Sequence, residues 1–167
     1  EMAELTDYPI IKGGRMLNLL FRAGIQQMYG PLSNRVRDAY LVFLKSLPLA
    51  VRLGNGIFIS HSIPEITVQD PFDVSVFERP LEGADFSEGG GAFRLVWGRD
   101  YRTENAQQFA SLVDARVLIT GHEPCGDGYG VPNPHQIILD TQSENGCYVI
   151  LPVADELSQE QIVERIE

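Results

Sequence analysis

The chain has 167 residues, 44% hydrophobic and 22% charged, which suits one soluble globular domain and is too short for two. Its formal net charge of −10 opposes a nucleic-acid partner, and no apolar run approaches the roughly 18 residues of a membrane span. Two cysteines, Cys125 and Cys147, make no disulfide framework and point to a reducing, cytoplasmic compartment.

Glu1-Met2-Ala3 opens the sequence, as expected for a piece of a longer protein. Tyr8-Pro9 reads as a turn. Gly13-Gly14 lead into a helix over about 15–28, with Met16, Leu19, Leu20 and Ala23 at helical spacing, and Gly30-Pro31 end it. A second helix is expected from the cap Asn34 to about Ser46, carrying Val36, Tyr40, Phe43, Leu44 and Leu47 on one side. Pro48 closes it.

The period then changes. Residues 49–53, the turn Gly54-Asn55-Gly56 and residues 57–60 read as a β-hairpin, with His61 directly after its second strand. Residues 62–93 hold Pro64, Pro71, Pro80 and a Gly89-Gly90-Gly91 cluster, and read as a long excursion with one short helix. Regular structure returns at Phe93–Trp97. Thr103 is the expected cap of a helix over about 104–113, with Ala106, Phe109, Ala110 and Val113 inward. A strand over 116–120 follows, and His122 stands two residues beyond it. Residues 126–134 read as a turn-rich loop. Residues 136–140 and 147–151 read as strands joined by the turn Ser143-Glu144-Asn145-Gly146, and Ser158 with Gln161 has capping-box spacing for a last helix.

His61 and His122 share one pattern, an apolar strand and then a histidine past its C-terminal end. Such ends are where α/β sheets gather ligand-binding groups. Neighbouring strands lie about 4.8 Å apart, close enough for two imidazoles to meet on one ion. A histidine at a strand end is ordinarily a satisfied polar residue, so spacing alone leaves both readings open. Other motifs fall away. His122-Glu123 does not complete HExxH, because position 126 is Gly, and 126–130 lack the GxGxxG spacing. His135 is a loop residue and at best a reserve ligand. Cys125 reads as a buried thiol and Trp97 as core.

Four segments in order resemble the serine/threonine protein phosphatases of the calcineurin-like metallophosphoesterases, over about residues 40–151. Leu47-Pro48-Leu49 through His61 is similar to that family's "LPL … ifcvHGG". Residues 95–100 are similar to "LLWSDP", residues 109–122 to "Fl … livRaH", and Asp127-Gly128-Tyr129 to "DGY". Three departures are clear. Ser62-Ile63 stand where the family has Gly-Gly. Gly121-His122 and the Asp140-Thr141 … Gly146 ending resemble bacterial-type members, and the "FSAPNYC" segment is missing.

The resemblance implies an α/β fold, the C-terminal half of a metallophosphoesterase-type double β-sheet sandwich flanked by helices, with residues 1–167 as one partial domain. It implies a dinuclear centre of Mn, Fe or Zn with His61 and His122 among its ligands. It places Arg102 or Arg99 at the phosphate, and Glu1, sixty residues before His61, at the glutamate of the family's GNHE motif. The substrate would be a phosphorylated protein or a small phosphoester. A piece lacking the earlier motifs would be inactive alone, and its open sheet edge would invite self-association. Two rival readings stand beside this one. One is a non-catalytic scaffold that binds a partner, and the other a mononuclear zinc hydrolase using His61, His122 and one more ligand.

Overall fold

A computed structural model describes residues 9–167, so Glu1 and the Tyr8 side of the expected turn lie outside the described residues. The described chain divides into two units, one holding residues 9–48 and 82–90 and the other residues 49–81 and 91–167.

The second unit is built on a five-stranded mixed sheet. Its apolar, β-branched runs form β4 (Ile57–Ser60), β5 (Val117–Thr120) and β7 (Gln136–Leu139), which pair in parallel. Antiparallel β3 (Ala50–Arg52) and β6 (Tyr129–Asn133) close the edges, in the order β3-β4-β5-β7-β6. Both faces of the sheet are covered, which is why its central strands carry apolar residues in succession. Side chains alternate across the pleat. Phe58 and Leu118 enter one core with Leu95 and with Ala106, Phe109, Ala110 and Val113, while Ile57, Val117, Ile119 and Ile137 enter the other with Leu157 and Ile162.

Helix α3 (Gly91–Trp97) and helix α4 (Thr103–Leu112) cover the first face. Phe109 is fully buried and meets Phe58 and Phe72 edge-on at 5.7 Å each. Helix α5 (Gln159–Val163) covers the second face. Its start is the reciprocal cap expected, with Ser158 Oγ accepting from Gln161 N–H and Gln161 Oε1 accepting from Ser158 N–H. The large sheet, mixed and flanked by helices, bears out the α/β expectation.

The first unit carries a short hairpin, β1 (Ile11–Lys12) with β2 (Arg15–Met16), then α1 (Leu17–Tyr29), a 3-10 turn (Gly30–Leu32) and α2 (Ser33–Ser46). Gly30 ends α1 with φ of 50°, as the glycine predicted.

Several local expectations are corrected. Gly13-Gly14 form the hairpin turn itself, both at positive φ, rather than a lead into the helix. Asn34 does not cap α2, which starts at Ser33 directly from the 3-10 turn, and Ser33 Oγ bonds Gln26 Oε1 instead. Thr103 is the first residue of α4 and caps nothing. The excursion 62–93 holds two 3-10 turns, Val74–Phe77 and Gly83–Phe86, before α3 begins at Gly91. Residues 126–134 contain β6. Residues 147–151 form no strand and make a single bridge, Val149 to Ile166. Much of the apolar stripe expected on α1 and α2 lies open: Leu19, Leu20, Tyr40 and Phe43 are exposed. Among the described residues no helix is long and apolar enough to cross a membrane.

Candidate metal centre

Strands β4 and β5 run parallel with Ser60 opposite Thr120, so both end at the same level of the sheet. The ladder continues one step past them, where Gly121 N–H donates to His61 C=O at 3.1 Å. His61 and His122 therefore leave one edge together. His61 Nε2 lies 2.5 Å from His122 Nδ1, and the ring centroids are 4.5 Å apart.

The backbone at His122 is strained. Its φ is 77°, a region that residues other than glycine seldom adopt. Glu123 N–H closes back on Gly121 C=O at 3.0 Å, which with that φ makes a γ-turn of the rare left-handed kind. A turn of this sort persists only when its surroundings over-determine it, and such strain clusters at functional sites.

Buried serine hydroxyls hold the other histidine loop. Ser60 Oγ donates to Ser62 C=O at 2.8 Å. Ser62 Oγ donates to Leu95 C=O at 2.6 Å and accepts from Gly98 N–H at 3.1 Å, tying the segment after His61 to the end of α3. Gly98 is required there, because a Cβ would stand 1.6 Å from the carbonyl oxygen of Ile63. Asn105 is fully bonded from α4, accepting from Ile66 N–H and donating to the carbonyls of Pro64 and Asp100. On the His122 side, the Asp140 carboxylate after β7 accepts from Cys125 N–H and Gln142 N–H, and these bonds hold its pKa below the ordinary value.

The two candidate arginines differ in placement. Arg99 Nε is 2.5 Å from Glu123 Oε1, one residue along from His122. Its guanidinium carbon lies 6.0 Å from the centre of the Trp97 ring, and Trp97 meets His122 edge-on at 6.2 Å. Arg99 thus flanks the imidazole pair. Arg102 is occupied elsewhere, with Nε and a terminal nitrogen on the two carboxylate oxygens of Asp100. That fork holds the Asp100 carboxyl below the ordinary value.

Sequence reasoning missed three residues here. Ser62, which stands out in the sequence only as a departure from Gly-Gly, is a staple. Glu123 was read only as part of a failed motif, although standing next to His122 was a signal. Tyr101 gave none. Its hydroxyl is buried without a hydrogen bond of good geometry among the described residues, and burial first, then its contact with the Glu123 carboxylate, push its pKa up. Glu123 is close enough to act on the phenol, but no hydrogen bond of normal geometry joins them.

The lesser candidates are plain. His135 sits in the β6–β7 turn, at the far end of the parallel ladder from the imidazole pair, with its N–H on Asn133 Oδ1. Burial raises the Cys125 thiol's pKa, so it is no activated nucleophile.

Two imidazole nitrogens suit Fe or Zn as donors, and Mn only with carboxylates beside them, yet the described residues hold no group of three His, Cys, Asp or Glu placed for a metal ion. Ligands at about 2.0–2.1 Å from one tetrahedral ion hold their nitrogens roughly 3.3 Å apart. The pair is closer than that, and rotating the rings apart by under about 1 Å would admit an ion. The chain fits as part of a ligand set.

No protein-family model matches the sequence, and no curated protein matches it. Among solved structures, a protein serine/threonine phosphatase from Saccharomyces cerevisiae with similarity to the human phosphatase PP5 is similar over 76% of this chain, with a TM-score of 0.56 and 16% identity. The fold is of the phosphatase type. This chain spans 45% of that structure's length, and at this identity the likeness establishes the fold alone.

Proposed function

We propose that this chain is the C-terminal part of a bacterial-type metallophosphoesterase, and that its parent hydrolyses a phosphorylated protein or a small phosphoester in the cytoplasm. The observation that carries the proposal is the meeting of His61 and His122 past the ends of two adjacent parallel strands, with His122 held in a strained turn. An ordinary polar histidine does not require that strain.

In this reading His61 and His122 are two ligands of a dinuclear Mn, Fe or Zn centre, and preceding sequence supplies the carboxylates and the general acid. When bound, the ions supply charge neutralisation and an acidified water for attack at phosphorus. The chain's own part is to hold the imidazoles at one level of the sheet and to present a cation to the phosphoryl oxygens. Arg99 is the better placed for that, since it flanks His122 while Arg102 is forked onto Asp100.

One observation favours a second reading. The described residues bring together no third ligand, which is what a scaffold module without catalysis would show. An assay with an aryl phosphate and Mn separates the two. The intact protein should turn over, the 167-residue chain should not, and His122→Ala in the intact protein should lower kcat by orders of magnitude with its fold preserved. Unchanged kcat and metal content in that variant would leave the scaffold reading standing.

A further inference from the structure

Beside the imidazole pair, one carboxylate stands between two donors and serves one of them. Glu123 bonds Arg99 Nε at 2.5 Å, while the Tyr101 hydroxyl lies buried beside the same carboxylate without a hydrogen bond of good geometry among the described residues. A buried hydroxyl left wholly unmade costs about 1–3 kcal/mol, and a poorly aligned bond recovers only part of that, so a carboxylate free to turn toward the phenol would gain the rest. The Arg99 guanidinium has its Nε on Glu123 and one terminal nitrogen on Gly98 C=O, and among the described residues its other terminal nitrogen has no acceptor. Trp97 lies under that guanidinium at 6.0 Å and meets His122 edge-on at 6.2 Å, so one indole touches both the arginine and an imidazole.

We propose that Tyr101 is a positioning residue for phosphate, donating its O–H to Glu123 when a phosphoryl group takes Arg99 from that carboxylate. The inference rests on the phosphate-binding site proposed above. Glu123 is only partly exposed, so stripped of Arg99 it would stand half-desolvated beside a second anion. The phenol is placed to absorb that change. One N–H···O contact breaks and the poorly aligned O–H···O contact becomes a full hydrogen bond, while the phenol keeps its proton throughout. Arg99 is then free to move across Trp97 and meet the phosphate with a bidentate fork.

The test is titration of the full-length protein with inorganic phosphate in the presence of Mn, followed by calorimetry and by near-ultraviolet difference absorbance. Phosphate should bind and produce a tyrosine difference band. Tyr101→Phe should remove the band and weaken phosphate binding about tenfold, the size of one hydrogen bond to a charged group. In a Glu123→Gln background the same substitution should cost nothing further, since no freed charge remains to be held. An equal loss in both backgrounds, or a band that survives in Tyr101→Phe, would overturn the exchange while leaving the site intact. Binding that needs Arg99 but ignores Tyr101 would do the same. Absence of phosphate binding in the unsubstituted protein, matched by His61→Ala, would remove the site reading and the exchange with it.

Discussion

The two units of the molecule bury their apolar residues to very different degrees. In the sheet unit nearly every β-branched or aromatic strand residue is covered, and two cores flank the strands. In the helical unit only Ile25 among the large apolar residues of α1 and α2 is buried, while Leu19, Leu20, Met28, Val42 and Phe43 lie open. Their charge differs as well. Residues 9–48 and 82–90 hold six cations, Lys12, Arg15, Arg22, Arg35, Arg37 and Lys45, against four acids, Asp38, Glu82, Asp85 and Glu88, in a chain whose net charge is −10. The lesson is physical. A sheet with helices on both faces satisfies itself locally, whereas amphipathic helices show their stripe whether or not anything covers it. The histidines belong to the self-sufficient unit, where strand register sets their approach.

Substitutions should separate the units in order of effect. Phe109→Ala removes the ring between Phe58 and Phe72 and should cost about 3–5 kcal/mol, read by urea denaturation. A loss below about 1 kcal/mol would mean that the sheet core is not what holds this unit. Ser158→Ala breaks the reciprocal cap of α5 and should cost about 0.5–2 kcal/mol. Met28→Ser, on the open face of α1, should stay within about 0.5 kcal/mol, and a larger loss would show that the face is covered in solution.

Acid offers a subtler comparison within the sheet unit. Asp140 is lowered chiefly by the Cys125 N–H bond, and Asp100 chiefly by its bond to Arg102. Carboxyls with depressed folded pKa values contribute stability above about pH 4, the unfolded value, and lose it as pH falls through the folded ones. Asp140→Asn should therefore flatten the fall in melting temperature below about pH 4. An acid profile identical to the unsubstituted chain would show that the Asp140 bonds do not act through its charge.

Much of the sheet unit was legible because its strands are apolar runs with turn residues at their ends, and α4 and α5 carry their inward and capping residues in sequence. Strand β6 was not. Gly126 to Gly130 and Pro132 read as turn chemistry, yet an edge strand with a register shift between Gly130 and Asn133 tolerates a proline without its N–H. The opposite error fell at 147–151, where an unbroken apolar run suggested a strand. Val149 and Leu151 do pack on the core, but the backbone meets the chain end instead, with Tyr148 and Glu167 exchanging two bonds at 2.9 Å. At the site, the strand-then-histidine pattern foretold which residues would meet. The Glu123, Tyr101 and Arg99 cluster was not foretold, because side-chain partners across a turn leave no period in the sequence.

Metal content of the intact protein is the most direct test of the central claim that His61 and His122 share one ion. Unsubstituted protein, His61→Ala, His122→Ala and the double variant would be purified alike and their bound Mn, Fe and Zn measured. Each single variant should lose the same ion, and the double variant should lose no more than either, because two ligands of one ion fail together. Full metal occupancy in the double variant would contradict the account.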